Sequence, residues 1–381
     1  MFHILSKARC AIAAILLSIF PVRSLAAQTL SPSDAIRLEQ QGKFSEAAQF
    51  WREVVKQNPS DAAAFASLGV DLSRQQKYSE AAAAYKKALA LNPRLPGIQL
   101  NLGLAEFKQG HFGAAISPLK AALASDPASV QARALLGMSY YGAHRFSDAV
   151  QYLRPVMESD PENTELRRVL AQSCLQIKQY PCAEEQFRKL LEFDPNSAAV
   201  HILLGEALDG LQRTPDAIAE FQQAAQLSPA EPGVHFGLGY LYWKSHRYED
   251  AKHEFEAELS LNRNDPQTMA YLGDIELKLN NLQGAAELLE KSVQQQKDVR
   301  IAYLDLGDVR TQQKQYPAAI EAYKRAVELD PTQPDAHFRL GRIYRDLGQR
   351  DRANAEFAKT RELHEQKDAP VLHLKTTQTP P

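Results

Sequence analysis

Alanine returns every 34 residues, at Ala47, Ala81, Ala115, Ala149, Ala183, Ala217, Ala251, Ala285, Ala319 and Ala353. A second register, also free of insertions, carries a small residue: Ala35, Gly69, Gly103, Gly137, Ala171, Gly205, Gly239, Gly273, Gly307 and Gly341. A third carries a large apolar one: Trp51, Tyr85, Leu119, Leu153, Phe187, Phe221, Phe255, Leu289, Tyr323 and Phe357. Proline closes most repeats, at Pro59, Pro93, Pro127, Pro161, Pro195, Pro229 and Pro331. A fixed period of this length marks a stacked array, because one repeat cannot bury its apolar face alone.

The stretch from Ala62 to Pro93 shows what one repeat does. Phe65, Leu68, Gly69 and Leu72 recur at three- and four-residue spacing and share one helix face. Gln75, Gln76 and Lys77 break the apolar pattern and predict a turn. Ser79 is the expected cap of a second helix, whose inward face is Ala81, Tyr85 and Ala88. The spacing pairs Gly69 with Ala81 at the point where the two helices cross. Pro93 cannot continue the helix and ends the repeat. Pro181, Pro215 and Pro317 fall in the first turn of their second helices, where a missing N–H costs nothing.

The Leu-Gly pair, the later Ala, the aromatic four residues beyond it and the closing Pro resemble the tetratricopeptide (TPR) repeat. Nine full repeats fill residues 62–365, starting at Ala62, Pro96, Val130, Thr164, Ala198, Pro232, Pro266, Arg300 and Pro334. A shortened repeat over 28–61 and the polar last helix are expected to cap the array, and 366–381 is expected to be a flexible tail. Arg263, Lys297 and Glu365 replace the closing proline, and Thr214 and Leu282 stand where most repeats have Phe or Tyr. The resemblance implies an all-α solenoid of helix pairs wound as a right-handed superhelix. It leaves no room for a separate catalytic domain.

Residues 1–27 read as a signal peptide: Lys7 and Arg9, the apolar run from Cys10 to Phe20, then small residues up to Ala27. That run is shorter than the roughly 20 residues a membrane-spanning helix needs, so cleavage is expected over retention as an anchor. The destination is a bacterial periplasm or the exterior. Removing Lys7, Arg9 and Arg23 leaves 41 of 44 basic residues against 46 acidic ones, a net charge of −5. Such a balance lacks the basic stripe that nucleic acid requires.

Cys174 and Cys182 remain after cleavage, one near the end of a first helix and one entering the second. They either bridge across the turn, as an oxidising compartment favours, or serve as small apolar fillers. His201, His235 and His337 share one register on successive repeats and cannot converge on one ion. No metal, cofactor or catalytic grouping is expected from these patterns, and the half-pattern Gly237-Leu238-Gly239 lacks the strand that a phosphate loop needs.

TPR proteins bind partners in a concave groove lined by the second, fifth, ninth, twelfth and thirteenth positions of each first helix. The resemblance therefore places Leu100, Leu104, Phe107, Met138, Tyr141, Phe236, Tyr240 and Trp243 there, a second apolar face beyond what framework packing uses. Glu206, Asp209, Asp274 and Asp308 are expected to make the groove acidic farther along, with Arg342 and Arg345 basic at its end. Neither the Lys and Asn of a carboxylate clamp nor an asparagine ladder is present, Asn101 alone standing at the ladder's sixth position. The expectation is a non-catalytic envelope scaffold holding a protein or peptide segment in its groove. The competing readings are a membrane-tethered assembly factor working through its convex surface and a regulatory subunit of an envelope-polymer enzyme.

Overall fold

The computed structural model describes residues 31–368, so the expected signal peptide and most of the expected tail lie outside the described residues. The chain divides between Pro127 and Ala128 into two compact units. The first holds α1 (Pro32–Gln40), α2 (Phe44–Gln57), α3 (Ala62–Arg74), α4 (Tyr78–Leu91), α5 (Ile98–Lys108) and α6 (Phe112–Ser125). The second begins with α7 (Val130–Gly142), α8 (Phe146–Ser159), α9 (Thr164–Gln176), α10 (Tyr180–Phe193), α11 (Ala198–Gly210), α12 (Thr214–Leu227) and α13 (Val234–Lys244). It continues with α14 (Tyr248–Leu261), α15 (Pro266–Lys278), α16 (Leu282–Gln295), α17 (Arg300–Gln312), α18 (Tyr316–Leu329), α19 (Pro334–Asp346) and α20 (Arg350–Asp368). Each unit is a run of antiparallel helix pairs, and the described residues contain no strand. Helix α20 runs three residues beyond Glu365, where the repeat pattern stops.

The turn inside every pair is the same object. Its second residue adopts a left-handed backbone at Gln76, His144, Lys178, Gln212, His246, Asn280 and Lys314, and at Gly42, Gly110 and Gly348. The next amide reaches back five residues, as when Lys77 N–H donates to the Leu72 carbonyl at 2.9 Å and Arg213 N–H to that of Leu208 at 2.9 Å. This is a Schellman closure, which satisfies carbonyls that the helix end leaves open. The second helix then starts at once, with Lys77 rather than Ser79 at the cap position of α4 and no side-chain cap bond. Several first helices are capped from a side chain instead: Asp61 accepts from Ala64 N–H at 2.9 Å and Asn163 from Leu166 N–H at 3.1 Å. Helices α5 and α13 begin two residues later than the pattern predicts. Gly97 and Gly233 stand at their caps with left-handed φ values of 74° and 81°, a conformation that glycine adopts without steric cost.

The glycines of the second register pack on the large residue sixteen places later, and at Gly205 and Gly273 the backbone oxygen of the register alanine, Ala217 or Ala285, lies beside it, 3.3 and 3.5 Å from a Cβ position. A Cβ on Gly69 would lie 2.4 Å from the Tyr85 ring, and one on Gly307 would lie 2.2 Å from that of Tyr323. Helices approach closely there because nothing projects from the first one. Tyr85, Phe187, Phe255 and Tyr323 are consequently among the largest fully buried side chains. Within each compact unit a helix packs on its partner, and the second helix of a pair packs on the first helix of the next, so stability accumulates between neighbours. No described helix is long and apolar enough to cross a membrane.

Candidate functional site

First helices also touch along their own row, α7 with α9 and α13 with α15, and most extensively α15 with α17. Helices α11 and α13 stand farther apart, and a cavity of about 310 Å³ opens between them. Ile202, Glu206 and Asp209 line it from α11, at three- and four-residue spacing on one face. Phe236, Gly237 and Tyr240 line it from α13, and Phe221 of α12 reaches it from behind. Gly237 makes that possible, since a Cβ there would lie 2.1 Å from the Phe221 ring. The second glycine of the Gly237-Leu238-Gly239 pattern meets Phe255 in the same manner.

Phe236, Tyr240 and Trp243 converge on a ring that sequence reasoning missed. Tyr271 of α15 lies 5.8 Å from Phe236, 5.7 Å from Tyr240 and 5.1 Å from Trp243, centroid to centroid. Edge-to-face geometry of this kind adds to burial, so much of this apolar face fastens one hairpin to the next. Burial pushes the Tyr271 hydroxyl up to about 12. The Trp243 indole N–H donates to the Asp274 carboxylate. Tyr271 sits at the sixth position of its repeat, which the groove-facing set omits; an aromatic where other repeats carry Ser67, Asn101 or Gly237 was the available signal.

The other predicted residues divide between the two compact units. In the first, Leu100, Leu104 and Phe107 of α5 are half-buried, and Phe107 packs edge-to-face on Phe112 at 5.4 Å. In the second, Met138 and Tyr141 of α7 are half-buried. Tyr141 packs on Phe146 at 5.7 Å and donates its hydroxyl to Gln172 of α9 at 2.7 Å. The structure joins Cys174 to Cys182 as a disulfide across the α9–α10 turn, with Cα atoms 5.9 Å apart. The register histidines tie the two helices of one hairpin together: His201 to Glu220 at 2.6 Å, His235 to Glu254 at 2.7 Å and His337 to Glu356 at 2.6 Å.

The expected acidic stretch is largely neutralised. Lys244 pairs with Asp209 at 2.7 Å, Lys278 pairs with Asp274, and Arg339 bonds both oxygens of Asp308 at 2.8 and 3.0 Å. Those cations come from the thirteenth and sixth positions, interleaved with the acids one turn or one repeat away. Glu206 is exposed and has no ion-pair partner among the described residues. Arg345 pairs with its neighbour Asp346 at 3.2 Å.

Helix pairs of constant period, closed by one turn type and packed small-on-large at one register, define a helical-repeat protein built to present a row of first helices. Models of the family described as TPR repeat match residues 71–110 and 307–348. Those described as tetratricopeptide repeat match 100–152, 140–207, 236–299 and 335–366. The chain belongs to the tetratricopeptide repeat family, whose members generally serve as protein-interaction scaffolds. Among solved structures it is similar to MamA, at 23% identity over 43% of this chain and 96% of that one, with a TM-score of 0.38. It is similar to YrrB, described as a TPR protein with an unusual peptide-binding site, at 23% identity over 49% of this chain and 95% of that one, with a TM-score of 0.39. Yeast Tom70 aligns at 14% identity over 87% of this chain and 91% of that one, with a TM-score of 0.42. No curated protein matches the chain.

Proposed function

We propose that the protein is a non-catalytic scaffold of the cell envelope that holds an extended segment of a partner protein along its row of first helices. The α11–α13 cavity carries the reading. It is an open apolar recess walled by Ile202, Phe236 and Tyr240, with the uncommitted carboxylate of Glu206 at its edge. Concave apolar sites with a few polar groups are where ligands are usually taken. Residues 1–27, with their basic start and short apolar run, support export and a periplasmic location. Retained as an anchor, the same segment would tether the protein to a membrane.

Capture from envelope extract with the mature chain, beside an Ile202→Asp/Glu206→Lys variant, tests the proposal. A partner retained by the first and lost from the second, at equal helicity, is the expected result. An identical catch from both would overturn it. A second reading, assembly through the other surface, has one observation in its favour: a cavity of about 490 Å³ lined by Tyr303, Leu306, Ala318 and Ala322.

A further inference from the structure

A second recess on the first-helix row, of about 390 Å³, lies among α15, α17 and α19. Asp274 and Lys278 enter it from α15, Asp305 and Asp308 from α17, and Arg339, Arg342 and Asp346 from α19. Asp305 is only 3% exposed, and its Oδ2 has no hydrogen-bond partner among the described residues. Every other carboxylate in the recess is paired: Asp274 with Lys278, Asp308 with Arg339 and Asp346 with Arg345. The Tyr323 hydroxyl also donates to Asp308, at 2.6 Å. A buried carboxyl oxygen left without a donor is costly, and Asp305 is one of the residues that line this recess.

We propose that this recess receives the cationic head of an arginine or lysine side chain on the bound partner segment, with Asp305 as its buried counter-charge. The inference rests on the groove-binding reading above and adds the chemistry of one contact. The group left buried without a partner is a carboxyl, which calls for a donor. Lys278, Arg339 and Arg345 are already held by Asp274, Asp308 and Asp346, so none of them serves Asp305. A single free oxygen suits an N–H donor better than a metal ion, which gathers several oxygens. Burial, with Asp274 and Asp308 nearby, holds the Asp305 carboxyl well above its ordinary range, against the smaller opposing effect of Lys278 and Arg339. An incoming cation opposes that shift, so its binding favours the ionised form of Asp305.

The test uses the full chain and two small probes of nearly equal shape, Nα-acetyl-arginine methylamide and its uncharged citrulline counterpart. Trp243 fluorescence reports binding, because Lys278 Nζ lies 5.6 Å from the indole ring and Asp274 accepts its N–H. The arginine probe is expected to bind about tenfold more tightly than the citrulline probe, and Asp305→Asn to abolish that preference. Affinity for the arginine probe should also rise with pH while that for citrulline stays level. Equal binding of both probes, no binding of either, or an unchanged preference in Asp305→Asn would overturn the proposal. The capture experiment is independent of this one. Arginine binding without a captured partner would sink the groove reading alone, and a captured partner without arginine preference would sink only this pocket.

Discussion

The missing side chain of Gly307 is filled by the ring of Tyr323, sixteen residues later, whose Cε1 lies 2.2 Å from where a Cβ would stand. The same pairing recurs as Gly69 with Tyr85 and Gly239 with Phe255, so one contact sets the helix spacing along each compact unit. Gly307→Ala forces apart a helix pair whose Tyr323 ring is also anchored to Asp308. Overpacking of this sort costs about 1–3 kcal/mol, reduced by roughly 1 kcal/mol of helix propensity that alanine restores. A lowered denaturation midpoint is expected. Ala171 stands opposite Phe187 in the equivalent place, so the loss reflects the fit of one hairpin and the fold survives.

Asp71 is fully buried in α3, and neither carboxyl oxygen has a hydrogen-bond partner among the described residues. Burial, assisted by the charge of Glu39, raises its carboxyl from 3.8 to about 7. Below pH 4 folded and unfolded chains both hold the proton. Between there and pH 7 the unfolded chain has lost it and the folded chain has not, so stability falls as pH rises, by about 1.4 kcal/mol per pH unit. The tenth position of later repeats holds Ser139 and Ser173, which donate back to Leu135 and Val169 carbonyls at 2.7 Å. Asp71→Ser should therefore flatten the pH dependence and raise the melting temperature at pH 8. Thermal melts of both proteins at pH 5 and pH 8 check this; parallel behaviour would contradict it.

The Cys174–Cys182 bridge closes a loop of sequence separation eight. On the loop-entropy relation it is worth about 2–3 kcal/mol. Reductant, or Cys174→Ala with Cys182→Ala, should lower the melting temperature of the protein purified from an oxidising compartment. Its intact mass should rise by two hydrogens on reduction. Two free thiols in the native protein would contradict the bridge.

The array was legible in the sequence because stacking demands the same residue types at the same place in every repeat. Ala81 and its nine equivalents show the period, and the turn, the repeat starts at Val130 or Thr164 and the first-turn prolines follow from it. Partner choice was less legible. Gly69 and Ala81 are both small, and sequence spacing alone does not show that the Tyr85 ring fills the space over Gly69. Ser79 suits a cap by type, but the preceding Schellman turn has already fixed the helix start at Tyr78. The apolar face at Phe236, Tyr240 and Trp243 was visible, while its use as packing depends on Tyr271 in the next repeat. Charges misled for the same reason: Asp308 reads as acidic until Arg339, 31 residues away, is seen to hold it.

The function turns on which surface meets the partner. Benzoylphenylalanine placed at Tyr240, beside the α11–α13 cavity, and separately at Tyr303, in the larger cavity on α17, distinguishes the two on irradiation of intact cells. A cross-linked partner from position 240 and none from position 303 is the predicted result. A cross-link from position 303 with none from 240 would contradict it and move the function to the other face.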